Sequence, residues 1–267
     1  MKNNPIGKLL KLKQFCLVII FSIFTASVIT AQTNSYYQLK IYSIENESQE
    51  QRLDEYLKMA YLPALHRSGI TKVGVFKPKA EEPSAGSIMY VFIPFKSLEQ
   101  FIKLPEILSV DLLYQSAGKN YIDATFDNPP YRRIESILLK AFKNMPEPAV
   151  PMFQGPRVER VYELRSYEGA TEKIFQNKVE MFNEGGETDL FKKLEFNPVF
   201  FGEVISGGSM PNLIYMTSFS NEASRNEHWK AFGSHPEWEL MKENPKYQNN
   251  VSSINKILLQ STDYSHF

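Results

Sequence analysis

The feature that most constrains the fold of this chain is an internal repeat. Residues 37–42 and residues 162–167 both read Tyr, polar, Leu, basic, any residue, Tyr, about 125 positions apart. Three further apolar segments match in the same order: residues 75–76 with 200–201, 89–91 with 214–216, and 134–139 with 254–259. Matched segments in one order are typical of a duplicated supersecondary unit. The sequence therefore predicts two tandem copies of one unit.

Both copies have the same predicted order of elements, βαββαβ, which is the ferredoxin-like order. In the first copy, periodicity predicts strands over residues 36–43, 70–77, 87–95 and 132–143, and helices over 48–67 and 97–118, the latter broken near Pro105. In the second copy it predicts strands over residues 158–168, 197–205, 212–219 and 251–262, and helices over 170–193 and 221–244. The spacing of residues 132–143 also suits a helix. Gly185 and Gly186 predict a break in the helix that contains them.

The predicted fold class is α+β, with two tandem ferredoxin-like domains of the dimeric α/β barrel type. The first domain covers residues 36–145 and the second residues 158–262, joined by a proline-rich linker over 146–157. A four-stranded sheet with both helices on one face leaves its other face bare, and a bare apolar face needs a partner. The two sheets are therefore expected to pack against each other within the chain, as a closed barrel or a sandwich.

Residues 1–31 have the pattern of a secretory signal peptide. A basic segment with four lysines precedes an apolar run over residues 15–29, and a small residue follows at Ala31. The run is shorter than the roughly 20 residues that a membrane-spanning helix needs. The sequence predicts cleavage after Ala31, a periplasmic or secreted protein, and no stable membrane anchor after cleavage. An uncleaved anchor is the alternative.

Charge and cysteine content argue against a nucleic-acid-binding protein and against a disulfide-stabilised one. The chain has 30 basic and 30 acidic side chains, and loss of four signal lysines would leave an acidic protein. No basic footprint for a nucleic acid is present, so nucleic-acid binding is not expected. The single cysteine, Cys16, lies in the signal segment, so no disulfide is expected and the fold must be stabilised by its apolar core.

Several segments of the second copy form a specific combination: residues 161–167, 177–182, 197–202, 211–216 and 229–238. On these segments the second copy resembles the NIPSNAP family over about 105 residues. The first copy matches only through its strands, and Lys40 stands where the second copy has Arg165. The resemblance implies a ferredoxin-like fold of the dimeric α/β barrel type and roles in vesicle or organelle biology in eukaryotes. It implies no agreed catalytic residues.

The first strand of the second copy has one polar face. Glu163, Arg165 and Tyr167 alternate with Tyr162 and Leu164. If the Tyr162 face packs on the helices, the polar side chains face the space enclosed between the copies, where a charge must be paired or bound to a ligand. Two interpretations stay open: a structural ion pair of Arg165 with a nearby acid, or a ligand site.

The candidate ligand-binding set combines this polar face with neighbouring aromatic and helical residues. Its members are Glu163, Arg165, Tyr167, Glu180, Asn183, Tyr215 and Trp229. The seven-residue spacing of His228 and His235 does not suit two metal ligands on one helical face, so no metal site is predicted. No catalytic residue and no cofactor are assigned.

These observations favour an exported binding module that holds an apolar small molecule or a protein partner. A cofactor-free monooxygenase-like or haem-related enzyme is the second hypothesis, and it rests on fold analogy alone. A structural subunit of an exported complex is the third. A homo-oligomer is compatible with each of them.

Overall fold

The computed structural model describes residues 35–267. The predicted signal peptide, residues 1–31, lies outside the described residues, so export and cleavage after Ala31 stay predictions. Within residues 35–267, no helix is both long enough and apolar enough to cross a membrane.

The N-terminal half contains four strands and two groups of helices. The strands are β1 (Tyr36–Ser43), β2 (Gly74–Pro78), β3 (Ile88–Phe95) and β4 (Arg133–Ala141). Between β1 and β2 lie α1 (Glu47–Tyr56), a π-helical turn (Leu57–Tyr61) and α2 (Leu62–Arg67). Between β3 and β4 lie α3 (Leu98–Val110), α4 (Leu112–Ala117) and α5 (Lys119–Ile122).

The C-terminal half repeats this order. Its strands are β5 (Val161–Glu168), β6 (Pro198–Ser206), β7 (Asn212–Phe219) and β8 (Ser253–Ser261). Helices α6 (Glu172–Asn183) and α7 (Glu187–Lys193) connect β5 to β6, and α8 (Glu222–Gly233) and α9 (Pro236–Glu243) connect β7 to β8. Short 3₁₀ turns at Arg157–Glu159 and Pro245–Tyr247 precede β5 and β8.

The eight strands form one closed barrel in the order β1-β3-β2-β8-β5-β7-β6-β4. The barrel closes through two antiparallel pairs, β2 with β8 and β4 with β6. Of the two predicted arrangements, a closed barrel or a sandwich, the barrel is the one that forms, and the two four-stranded sheets join edge to edge. Edge strands carry unpaired backbone donors and acceptors, and joining them edge to edge satisfies these groups.

The barrel interior is filled by apolar side chains from both halves. Phe92 of β3 and Phe200 of β6 stack with ring centroids 4.5 Å apart, and both are fully buried. Other members of this core are Tyr37, Leu39, Phe76, Leu139, Tyr162, Leu164, Val199, Met216 and Leu259. Two further apolar clusters lie outside the barrel, one under the helices of each half. The two halves therefore share one central core.

Local signals explain most helix boundaries, with one correction. Gly186 has a φ of 88° and separates α6 from α7, as the glycine pair predicted. The predicted break at Pro105 is wrong, because α3 continues through it to Val110. The break comes at Asp111, whose Oδ1 accepts a hydrogen bond from the backbone N–H of Tyr114 and caps α4.

The strand register corrects one match of the repeat. The sequence match placed Tyr90 on Tyr215, but Arg165 pairs with Tyr215 whereas Lys40 pairs with Val91. The residue of β3 that corresponds to Tyr215 is therefore Val91, one position after Tyr90. Tyr90 lines the open end of the barrel interior, while Tyr215 packs under the helices. A slip of one residue turns a side chain to the opposite face of a strand.

A Phe92→Ala variant tests the shared core. Both tryptophans, Trp229 and Trp238, lie in the C-terminal half, so their emission reports unfolding of that half. Removal of a buried phenylalanine from the N-terminal half should lower the free energy of unfolding by about 3–5 kcal/mol. Urea unfolding should show this loss equally by tryptophan emission and by far-UV circular dichroism. An exposed control, Ile102→Ala, should change stability by less than about 0.5 kcal/mol. A tryptophan-reported transition that does not move in Phe92→Ala would argue against one core.

Candidate functional site

A pocket of about 560 Å³ lies between the outer face of β5 and helices α6 to α9. We call it the C-terminal pocket. Its polar lining includes Arg165, Tyr167, Lys178, Glu187, Lys242 and Asn250, and its aromatic walls include Phe191, Trp229, Phe232 and Trp238. Residues 247–251, before β8, lie at its edge. A mostly aromatic cavity with a few converging polar groups is the usual composition of a small-molecule site.

The polar face of β5 points toward the helices, not toward the barrel interior. Tyr162 and Leu164 belong to the barrel core, and Tyr167 belongs to the cluster under the helices. The expectation that Glu163, Arg165 and Tyr167 face the space enclosed between the copies is therefore wrong. The physical reason is that the barrel core around Tyr162 and Leu164 consists of apolar side chains, whereas helix α8 supplies partners for a charge on the outer face.

The carboxylate of Glu163 is the electrostatic centre of this layer. Its Oε1 accepts hydrogen bonds from Arg165 Nε at 2.8 Å and Arg225 Nη2 at 3.0 Å. Its Oε2 accepts hydrogen bonds from Arg225 Nε and Trp229 Nε1, each at 2.7 Å. The side chain is fully buried. Glu163 therefore accepts four hydrogen bonds, and the three from Arg225 and Trp229 link strand β5 to helix α8.

Burial by itself would disfavour ionisation of Glu163, but hydrogen bonds from Arg225 and the charges of both arginines outweigh it and lower its pKa. Because the folded-state pKa lies below that of the unfolded chain, ionised Glu163 stabilises the fold above about pH 4.3, the ordinary glutamate value. This stabilisation is lost as the pH falls through the folded-state pKa.

Arg165 connects this ion cluster to the pocket. Its guanidinium lies 3.7 Å from the ring centroid of Trp229, a cation–π distance. Its Nη1 donates a hydrogen bond to the Tyr167 hydroxyl at 3.1 Å, which is in turn 2.9 Å from the Tyr215 hydroxyl. Burial is the main cause that raises the pKa of Tyr215 far above its ordinary value, so this phenol stays neutral. The cluster holds Arg165 in one orientation at the pocket wall.

A buried ion pair lies on the helical side of the same pocket. Lys178 Nζ of α6 is 2.7 Å from Glu187 Oε2 of α7, and both side chains are about 95% buried or more. The lysine also lies 4.7 Å from the ring of Phe182. Burial raises the pKa of Glu187 despite the neighbouring Lys178 charge, and such a carboxylate is a candidate proton acceptor.

The structure brings together only part of the predicted site. Arg165, Tyr167 and Trp229 line the C-terminal pocket, and Glu163 and Tyr215 support them from behind. The other two predicted residues lie elsewhere. Glu180 pairs with Lys246 on the surface, and Asn183 accepts a hydrogen bond from the backbone N–H of Asn144 at 3.3 Å. Neither lines the pocket, because α6 turns these side chains away from β5.

Sequence reasoning missed Lys178, Glu187 and Arg225. One signal for Lys178 was available: it falls on the apolar stripe of α6 that carries Phe175 and Phe182, at helical spacing. A lysine on a buried stripe requires a partner. Glu187 could not be matched to it from spacing alone, because the break between α6 and α7 changes the helical phase.

The charges around the pocket do not cancel. Four cations, Arg165, Arg225, Lys178 and Lys242, pair with three carboxylates, Glu163, Glu187 and Glu239, so one positive charge is in excess. In a site with low exposure this excess favours an anionic group on a bound molecule. The aromatic walls favour a flat ring beside it.

The lining offers few ligands for the haem-related hypothesis. In the part of the chain that the structure describes, no histidine or cysteine lines the pocket. The Tyr167 hydroxyl is engaged by Arg165 and Tyr215, and the Met181 sulfur accepts from Lys178. Of the side chains that could serve as an axial ligand of haem iron, Tyr167 and Met181 are thus already hydrogen-bonded, and Tyr247 lies at the pocket edge.

Comparison with known proteins agrees with this picture of the C-terminal half. The NIPSNAP family model matches residues 162–266. This range carries β5 to β8 and the pocket, and it confirms the resemblance found in the sequence of this half. No curated protein shows significant similarity to the chain.

Two solved structures share the fold over most of the chain. A protein from Lactobacillus acidophilus NCFM, described as a putative monooxygenase, has a TM-score of 0.56 at 10% identity, covering 85% of this chain and 94% of its own. Another protein described as a putative monooxygenase, from Fusobacterium nucleatum, has a TM-score of 0.52 at 7% identity, covering 86% of this chain and 93% of its own. A NIPSNAP family protein from Agrobacterium tumefaciens has a TM-score of 0.35 at 18% identity, covering 40% and 96%. The first two comparisons show a mixed α/β fold of the dimeric α/β barrel type.

A Glu163→Gln variant tests the role of the buried carboxylate. Loss of its charge leaves Arg165 and Arg225 without a counter-ion, and such a change should destabilise the fold by about 3–5 kcal/mol. Urea unfolding at pH 7 measures this loss. Between pH 7 and pH 3, the variant should also lose less stability than the natural chain, because it lacks the group whose pKa is lowered. The exposed control Glu227→Gln should follow the natural chain, and equal stability of Glu163→Gln and the natural chain would refute the role.

Proposed function

We propose that the C-terminal pocket binds an aromatic small molecule that carries one acidic group. The observation that supports this function is the position of the excess positive charge beside aromatic walls. Arg165 is fixed on the face of Trp229 and presents its guanidinium at the pocket wall. A ring can pack against Phe191, Phe232 and Trp238 while its acidic group pairs with the guanidinium edge.

We further propose that the two halves are tandem copies of a ferredoxin-like unit and that the protein acts after export. The equal strand order of the halves, β4-β1-β3-β2 and β8-β5-β7-β6, supports duplication. The basic and apolar pattern of residues 1–31 supports export to the periplasm or the exterior.

Tryptophan emission offers a direct test of binding, because Trp229 and Trp238 both line this pocket and are the only tryptophans of the chain. Titration with biphenyl-4-carboxylate should change the emission, whereas the neutral biphenyl-4-methanol should bind at least about ten-fold more weakly. Arg165→Met should remove this preference for the acid. The exposed control Arg133→Met should keep it. Equal binding of acid and alcohol by the natural chain would refute the proposal.

A second candidate function, cofactor-free oxygenation, is favoured by Glu187. A buried carboxylate with a raised pKa inside an aromatic pocket can accept a proton from a bound quinol. The quinolate then passes electrons to dioxygen, so that one oxygen atom enters the ring and the other leaves as water. The net reaction converts a quinol and dioxygen to a hydroxyquinone and water. Two fold neighbours are described as putative monooxygenases, which is compatible with this chemistry.

Dioxygen uptake with a panel of naphthoquinols tests the second function. Uptake should rise with pH through the pKa of Glu187, because only the ionised carboxylate accepts a proton. Glu187→Gln should lower the rate at least about 100-fold, the usual contribution of a general base. Glu187→Asp should retain part of it, and the exposed control Glu227→Gln should retain all of it. Uptake by the natural chain that Glu187→Gln leaves unchanged would refute this role, as would the absence of any uptake.

A further inference from the structure

A second pocket, of about 550 Å³, lies in the N-terminal half between the outer face of β1 and the helices that cover it. We call it the N-terminal pocket. Its polar residues are Gln38 and Lys40 of β1 with Ser109 and Gln115 of the covering helices, and its tyrosines are Tyr56, Tyr61, Tyr114 and Tyr121. Its apolar rim comes from α3 and includes Ile102, Leu104 and Leu108. Ile102 is 69% exposed, so the mouth of this pocket is apolar.

The N-terminal pocket retains a cation but lacks the acid that pairs with its counterpart. Lys40 of β1 stands at the position of Arg165 in β5, and Gln38 stands at the position of Glu163. Gln38 donates a hydrogen bond from Nε2 to the Ser136 hydroxyl at 2.7 Å. A neutral amide thus replaces the carboxylate that neutralises arginine charge in the C-terminal half.

Lys40 has no anionic partner within residues 35–267. Its amine forms neither an ion pair nor a side-chain hydrogen bond there, and it lies 5.2 Å and 5.0 Å from the ring centroids of Tyr42 and Tyr61. Aromatic faces attract a cation, but they compensate only part of its lost hydration. Burial accordingly lowers the pKa of Lys40 to about 8.

The tyrosines around Lys40 form an ordered wall. Tyr56 stacks on Tyr121 with ring centroids 3.6 Å apart and nearly parallel planes. The hydroxyls of Tyr56 and Tyr114 are 2.9 Å apart. Burial raises the pKa of each tyrosine that faces the amine, so these phenols stay neutral up to pH 9 and supply rings and hydroxyl donors rather than charge.

We propose that the N-terminal pocket is a second binding site, specific for an apolar ring-containing acid whose anionic group pairs with Lys40. The acid supplies the charge that Gln38 lacks, and its ring packs against the stacked tyrosines. The apolar rim of α3 admits the rest of the molecule. This site is separate from the C-terminal pocket, since the two pockets lie on opposite halves of the barrel and share no lining residue.

Calorimetric titration with biphenyl-4-carboxylate tests the proposal, because this probe stays ionised above pH 6. The Lys40-dependent affinity should fall about ten-fold between pH 7 and pH 9, the change in the protonated fraction of a group with a pKa of about 8. Lys40→Met should lose that affinity at pH 7. Lys40→Arg should keep it at both pH values, since arginine remains charged.

A chemical measurement locates the bound probe independently. The rate of Lys40 acetylation by an amine-reactive reagent, measured by peptide mass spectrometry, should fall at least about five-fold when biphenyl-4-carboxylate is bound. Acetylation of the exposed Lys230 should not change. Thermal unfolding of each variant shows whether its fold is retained.

Two results would overturn the proposal: unchanged probe binding in a folded Lys40→Met variant, or equal acetylation of Lys40 with and without millimolar probe. Tryptophan emission separates this outcome from failure of the C-terminal site, since both tryptophans lie in the other half. Lys40→Met should leave the tryptophan response to the probe unchanged, and Arg165→Met should leave Lys40 protection unchanged.

Discussion

Edge-to-edge pairing of the two halves is the constraint on which the rest of this structure depends. Strand β2 joins β8 and strand β4 joins β6, so that no strand of the barrel keeps a free edge. Closure puts one face of every strand into a common apolar core, where Phe92 and Phe200 from different halves stack. Neither half could bury these side chains alone.

Closure also decides where polar chemistry can lie. Because the barrel interior is apolar, the polar positions of β1 and β5 are directed to the layers between strands and helices. The corresponding positions of β1 and β5 carry different charges, so the two layers differ in charge balance. Glu163 binds Arg165, Arg225 and Trp229 in the C-terminal layer, whereas Gln38 leaves Lys40 without an acid in the N-terminal layer. One fold therefore carries two pockets with related shapes and different electrostatics.

Much of the secondary structure could be predicted from periodicity and from the repeat. The bounds of β1 and β7 agree with the prediction, and residues 132–143 contain strand β4. The site was harder to predict. Arg165, Tyr167 and Trp229 lie in a recognisable pattern and line one pocket, whereas Glu180 and Asn183 lie outside it, because packing sets which side of α6 faces β5. Lys178 and Glu187 meet only because α6 and α7 change direction at Gly186.

The sequence by itself determined the similar segments of the two halves, the alternation of polar and apolar residues in β5, and the presence of Gln38 and Lys40 in β1 where β5 has Glu163 and Arg165. These properties are local, since they depend on residue type and spacing along one strand. Only the tertiary structure decided that the halves join at their edges, that the polar face of β5 meets α8, and that Tyr90 and Tyr215 face opposite layers. Those outcomes depend on which strand edges pair and in what register, and such pairing is made between segments far apart in the chain.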